Sequence, residues 1–449
     1  MLVYGEVESF GGYWGWSGGL WDLLAVRRAE AKRILRTREN VSVKGYHIPN
    51  VQVAKMKRYA LKLGILLFCF TMIPSVSAGE LTVSKIISTS GEIGYKDGLS
   101  WLHVDGRYIK DELGATVYLR GVNKLTLASA DSLTSRAPPP YEEFMWHNLA
   151  ESDFDTIKSL GANCIRFGLS VENFFPDFNL DLPPNADFLA MLDNIVNWCE
   201  KRDVRIIFTL QSYNAIDGIP LAPSDYWTNP MNQENVNRFW RFVADRYKER
   251  PIVCGINYMC EPWHWAGGPP SNEVYRNWME IAIDTITQVN PQLLFFVSDA
   301  RVDDSQPLSG ENSFRWMRDT PVRRDNIILS PHFYPYDGDW NWMSGTDWGA
   351  AYAEGRYDEG KRLFADWIWD QWCADLNYPF MVGEFACVNH TVGLEWLQDF
   401  YEIMNDWGWN HAYYAWQAQY PGTLPDIYPV EGDWHTLRPQ GEVIKACLS

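Results

Sequence analysis

From about residue 116 onward, short apolar runs alternate with longer stretches whose apolar positions recur every three or four residues. Runs of four to eight apolar residues bounded by Gly, Pro, Asn or Asp read as buried strands, and the 3–4 spacing reads as helix with one face on a core. Strands are predicted at 116–122, 163–169, 204–210, 252–259, 293–297, 327–333, 380–385 and 412–416. Helices are predicted at 141–160, 187–201, 232–249, 271–288, 358–376 and 392–406, and 442–447 closes the chain. Within 187–201, Phe188, Leu189, Leu192, Ile195, Val196 and Cys199 share one side. Residues 301–325 read as irregular, and 334–351 as a long loop holding Trp340, Trp342 and Trp348. Ahead of the alternation, 81–88 reads as a strand, and 99–104 with 108–109 as a small hairpin around Asp105-Gly106.

About eight strand–helix alternations are the count of a (β/α)8 TIM barrel, here an α/β chain with a short N-terminal β segment. An open doubly wound sheet is the best alternative fold, but no Gly-rich phosphate loop follows an early strand. A single barrel domain over 79–449 accounts for the pattern, with neither a linker nor a repeat beyond the β/α unit.

Composition changes this picture in three places. The formal charge of −18 argues against nucleic acid as a partner and suits a neutral polymer. The 23 Trp and 23 Tyr exceed what core packing readily explains; exposed rings stack on sugars and also serve interfaces. Residues 56–62 are basic, 63–73 apolar, and Val76 and Ala78 sit where a cleavage site before Gly79 needs small residues. That is the layout of a signal peptide over 56–78, and its apolar run is short for a membrane span. Residues 1–55 then read as a mis-assigned extension before a start at Met56, and the rival reading is a cytosolic tail before a signal anchor. The expected product is a secreted, extracellular or periplasmic monomer with no stable membrane association after cleavage. Its seven cysteines, Cys164 to Cys447, contain no Cys-x-x-Cys and read mostly as buried thiols.

Two predicted strands end in a carboxylate. Residues 252–259 lead into Cys260-Glu261-Pro262, with Trp263, His264 and Trp265 beyond, and 380–385 contains Val382-Gly383-Glu384-Phe385. A Glu closing a buried strand is costly unless something uses its charge or its proton. In a barrel of this kind the site is built at the C-terminal strand ends. Taken in order, those ends offer Arg120, Gly121 and Asn123; Arg166; Gln211 and Asn214; Cys260 and Glu261; Asp299; His332 and Tyr334; Glu384; and Trp416 with Gln417. Polar groups around one mouth suit one carboxyl held protonated, one held ionised, donors that aim them and an aromatic floor for a ring-shaped substrate. No cofactor or metal is called for. Residues 337–348 begin like a calcium loop, but Trp342 and Trp348 stand where such a loop needs Gly and Glu.

Tyr118-Leu-Arg-Gly-Val-Asn123, Asn163-Cys-Ile-Arg-Phe167, Cys260-Glu-Pro262, His332-Phe-Tyr334, Val382-Gly-Glu-Phe385 and Ala415-Trp416, in this order and spacing, resemble a glycoside hydrolase of family 5. This is the cellulase and mannanase family of a large barrel-fold clan, and the resemblance runs from about 118 to 419. It implies a retaining β-glycosidase acting on a β-linked polysaccharide, foremost an endo-β-1,4-glucanase. A β-mannanase, an exo-acting glucosidase and a non-catalytic carbohydrate-binding barrel are the alternatives. The resemblance also implies Glu261 as acid/base, Glu384 as nucleophile, Arg166 and Tyr334 as its supports, His332 beside the acid/base and Trp416 as a sugar platform. Asn123, Gln211, Trp263 and Trp265 are further candidate sugar contacts, the two tryptophans being equally candidates for loop packing. Two positions depart from the family pattern: Cys260 stands where an Asn amide usually meets the sugar 2-hydroxyl, and Gln211 where a His is usual. A thiol is a weak donor and acceptor, so the first contact is expected to be weaker or moved.

Overall fold

Eight parallel strands form the centre of the computed structural model: Arg120–Leu125, Cys164–Leu169, Arg205–Leu210, Val253–Asn257, Leu294–Ser298, Ile327–Ser330, Met381–Val382 and Asn410–Tyr413. They are called the first to eighth barrel strands below. Each pairs with its sequence neighbour, and the eighth pairs with both the first and the seventh. A bridge between Leu329 and Phe380 and the pairing of His332–Phe333 with Glu384–Phe385 join the sixth to the seventh. The sheet is thus a (β/α)8 barrel. The structure describes residues 99–125, 149–175, 179–211, 215–216, 219–220, 227–262, 270–298, 314–335, 346–416, 429–430 and 435–448, all within the compact unit Glu92–Ser449.

The helices follow from local signals. Asn185 caps Ala186–Lys201 by accepting from the amides of Asp187 and Phe188, and all six residues expected on its inner face are buried. Asn229 caps Pro230–Arg246, whose first residue is a proline with no amide to satisfy, and Ser271 caps Asn272–Thr287. Their apolar stripes cover the outside of the barrel. Inside it, Cys164, Ile207, Cys254, Leu294, Phe296, Ile328, Met381 and Ala412 fill the lower layer.

The floor is closed by the predicted hairpin, Leu102–Asp105 with Tyr108–Asp111. Leu102 and Ile109 join the inner apolar layer. The Val104 amide donates to Asn326 Oδ1, and Arg205 donates to the Ser100 carbonyl, both at the lower rim of the barrel.

Three predicted elements differ. The first strand begins at Arg120 rather than 116, because Thr116 and Val117 pair with the hairpin at Lys110 and Ile109. The eighth begins at Asn410, where two polar residues hid it from an apolar count. Asn410 and His411 are both buried, and Asn410 accepts from the Leu119 amide while donating to the Phe380 carbonyl. Trp348 lies in the helix Asp347–Ala353, capped by Thr346, and packs against Phe364 and Phe333 instead of sitting in a loop. A short helix, Val171–Phe174, and a two-residue hairpin, Ala215–Ile216 with Ile219–Pro220, had not been foreseen. The segments 1–98, 337–345 and Asn214, Asp299 and Gln417 lie outside the described residues, as does the first part, 141–148, of the predicted helix 141–160, whose described remainder forms the helix Glu151–Ser159. The seven described cysteines are free thiols, and among the described residues no helix is long and apolar enough to cross a membrane.

Candidate active site

A buried cation anchors the upper layer of the barrel. Arg166 projects inward from the second strand and is 1% exposed. Its Nη1 donates to Glu384 Oε1 at 2.6 Å and to Asn123 Oδ1 at 2.7 Å. Its Nη2 donates to Asn257 Oδ1 at 2.7 Å, Thr209 Oγ1 at 3.1 Å and Cys260 Sγ at 3.3 Å. Burial alone would lower the guanidinium pKa; the Cys260 sulfur and the Glu384 carboxylate outweigh it and hold that pKa above its ordinary value. The acceptors are themselves fixed. Asn123 Nδ2 donates to the Gly383 and Ala412 carbonyls, while Asn257 accepts from Thr209 and donates to Ser298 and the Phe296 carbonyl.

Glu384 stands at the centre of this ring. Oε1 accepts from Arg166, from Gln211 Nε2 at 3.2 Å and from the Cys260 thiol at 3.3 Å. Oε2 accepts from the Tyr334 hydroxyl at 2.6 Å. Four donors fix the position of this carboxylate. Burial, and then the nearby Glu384 charge, push the Cys260 thiol well above the usual thiol pKa, so sulfur is a neutral donor here.

Glu261 follows directly on Cys260 and keeps part of its side chain open. Its backbone is left-handed, with φ +46°, a conformation that costs a non-glycine residue about 1–2 kcal/mol. His332 Nδ1 lies 3.0 Å from Glu261 Oε1 and 3.7 Å from Glu384 Oε2. These two distances keep the two carboxylate oxygens within about 7 Å of each other, so both carboxyl groups face one small volume beside the imidazole. The register sets this up: His332 and Glu384 are direct partners across the parallel pairing at the upper end of the sixth and seventh strands. Gly383 makes room for it. A Cβ there would lie 2.4 Å from Ser330 Oγ and 3.1 Å from His332 Nε2, two buried atoms with no hydrogen-bond partner among the described residues.

The family model described as Cellulase (glycosyl hydrolase family 5) matches residues 127–420. This chain belongs to glycosyl hydrolase family 5. The family-5 chain is 22% identical over 384 residues to Endoglucanase B of Acetivibrio thermocellus, covering 71% of this chain and 64% of that protein. It is 24% identical over 381 residues to an endoglucanase of Paenibacillus polymyxa, covering 78% of this chain and 88% of that one. Among solved structures, the endocellulase of Pyrococcus horikoshii in complex with cellotetraose superposes with a TM-score of 0.57 at 19% identity, over 79% of this chain and all of that one. A beta-glucanase of Saccharophagus degradans does so with a TM-score of 0.53 at 18% identity, over 84% of this chain and 98% of that one. At these identities the structural likeness speaks for the fold alone.

Seven of the expected site residues of this family-5 chain converge: Arg166, Gln211, Cys260, Glu261, His332, Tyr334 and Glu384. Two expectations are corrected. Asn123 is fully buried beneath Arg166, so it holds the guanidinium instead of meeting a sugar. Trp416 is also fully buried; its amide donates to the Asn123 carbonyl, and its ring offers no open face for stacking. Trp263 and Trp265 lie outside the described residues. The moved contact expected of Cys260 takes a definite form, since the thiol points at Glu384. Thr209, Asn257 and Ser298 were missed. Their signal was a polar residue at or near the end of an otherwise apolar strand, one to three residues before the positions singled out.

Proposed function

We propose that this chain is a secreted retaining β-glycoside hydrolase, foremost an endo-β-1,4-glucanase, with 79–449 as its catalytic domain. The carrying observation is the pair Glu261 and Glu384, joined through His332 and differing in environment. Glu384, with four donors, is the nucleophile. Glu261, more open and beside the imidazole, gives its proton to the leaving oxygen and later takes one from water. Arg166 and Tyr334 hold and aim the nucleophile. Gln211, whose amide donates to Glu384 Oε1 at 3.2 Å, stands beside the nucleophile. The endoglucanase names of the relatives support a β-glucan as substrate.

The first test is proton NMR of the anomer released from a soluble β-glucan before mutarotation. The β-anomer is expected; an initial α-anomer would exclude the double displacement. Running the same assay over β-glucans, mannans and mixed-linkage polymers ranks the substrates, with β-1,4-glucan expected to give the highest rate.

A second expectation concerns Gly383. In Gly383→Ala the new methyl has Ser330 Oγ at 2.4 Å and must displace it or His332. Overpacking of this sort costs about 1–3 kcal/mol of stability. A lower melting temperature and a reduced kcat are expected together, because the new methyl also crowds the His332 ring that faces Glu261. Unchanged kcat at lowered stability would show that His332 keeps its place and that its position is not set by this contact.

A further inference from the structure

Cys260 brings to this site a ligand atom that an amide would not provide. Its Sγ, a nitrogen of His332 and a carboxylate oxygen of Glu384 all lie within 4.8 Å of one another, and each residue is buried. We propose that these three side chains form a zinc-class metal site inside the catalytic cleft, and that a bound cation of this kind switches the enzyme off reversibly. Regulation by the cation rests on the hydrolase reading above; the binding itself does not.

The spacing fits the ion. Zinc bonds of about 2.3 Å to sulfur and about 2.0–2.2 Å to nitrogen and oxygen put tetrahedral ligands about 3.3–3.6 Å apart. Here Sγ is 3.3 Å from Glu384 Oε1 and His332 Nδ1 is 3.7 Å from Glu384 Oε2. The two contacts use different oxygens of the carboxylate and no separation in the set exceeds 4.8 Å, so side-chain shifts of about 1 Å, with His332 turning from Glu261, would bring one oxygen, the sulfur and the nitrogen to tetrahedral spacing. Three protein ligands leave the fourth position for water, on the side where Glu261 stands partly open.

Charge fits as well. On binding, the thiol releases its proton to solvent and gives the sulfur electron pair to the metal; nothing is oxidised or reduced. The thiolate and Glu384 then supply two negative charges that match the dication. Arg166 repels the ion but also donates to Sγ at 3.3 Å, which stabilises the thiolate that forms. When Nδ1 binds the metal, the imidazole proton moves to Nε2, on the side where the unpartnered Ser330 Oγ borders Gly383. A cation held in this way occupies the lone pairs of Glu384 that would attack the sugar.

The test uses the metal-free enzyme and cobalt as a coloured substitute. Titration with Co2+ is expected to raise a thiolate-to-cobalt charge-transfer band that saturates at one ion per chain and is abolished by Zn2+. Equilibrium dialysis should find one zinc per chain, and hydrolysis should fall in step with occupancy and return on chelation. Cys260→Ser should lose the band, and Glu384→Gln should weaken zinc by about 10-fold or more, since outer partners alone are worth 10–100-fold. The second variant decides if the first does not fold. Cys447→Ser, at the partly exposed thiol far from the cleft, should keep the band. A band that persists in Cys260→Ser, undiminished affinity in Glu384→Gln, or no stoichiometric binding by an enzyme that hydrolyses glucan would overturn the site. A band without any hydrolysis would leave the metal site standing and remove the glycosidase reading.

Discussion

Glu384→Gln should lose about 10⁴-fold or more in turnover, about 5 kcal/mol of transition-state stabilisation, while the chain still folds. An amide of the same shape cannot form the glycosyl–enzyme ester. The variant also separates chemistry from architecture. Glu384 is 4% exposed and carries the counter-charge of Arg166 at 2.6 Å. Removing one partner of such a buried pair costs about 3–5 kcal/mol, because the other charge is left uncompensated. Gln retains an acceptor for Nη1, and Asn123, Asn257 and Thr209 still hold the guanidinium, so the loss should fall at the low end. The measurements are kcat on a soluble β-glucan and a thermal melt. Wild-type turnover in a folded Glu384→Gln protein would remove Glu384 as the nucleophile.

Glu261→Gln should lose about 10²–10⁴-fold on oligosaccharides, whose leaving oxygen needs a proton. On an aryl glycoside with an acidic phenol the loss in the first step should be far smaller, because that leaving group departs without help. The ratio of kcat/KM on the two substrates is therefore the readout. A Gln at this position keeps the side-chain volume, the left-handed backbone and an acceptor for His332, so the fold should be undisturbed. An equal loss on both substrates would assign Glu261 to substrate binding instead of proton transfer.

The barrel was legible because each strand is a short apolar run and each helix carries a one-sided stripe, as in 187–201. Legibility failed where polarity and burial part company. Asn410 and His411 are polar and fully inside, so the eighth strand was entered two residues late. The carboxylate pair and its supports were legible because they end strands. The layer beneath was not, since Thr209 and Asn257 show in the sequence only as single polar residues near strand ends, and what they meet across the barrel is set by the fold. Trp416 shows the opposite error: tryptophan after a strand end suggests a platform, yet only three-dimensional packing decides which way the ring turns. The direction of the Cys260 thiol, toward Glu384 and Arg166, was likewise beyond any reading of spacing.

The closed floor has a consequence for traffic. With Leu102 and Ile109 sealed against the inner apolar layer, the barrel is a blind well with one opening. A sugar polymer cannot thread through it; it must lie across the rim, dip one linkage to the carboxylates, and release both fragments on the side from which it came. How many sugar units are gripped, and whether cleavage falls mid-chain or at an end, is then decided by the loops that fence the rim. The well beneath can stay the same while its clientele changes.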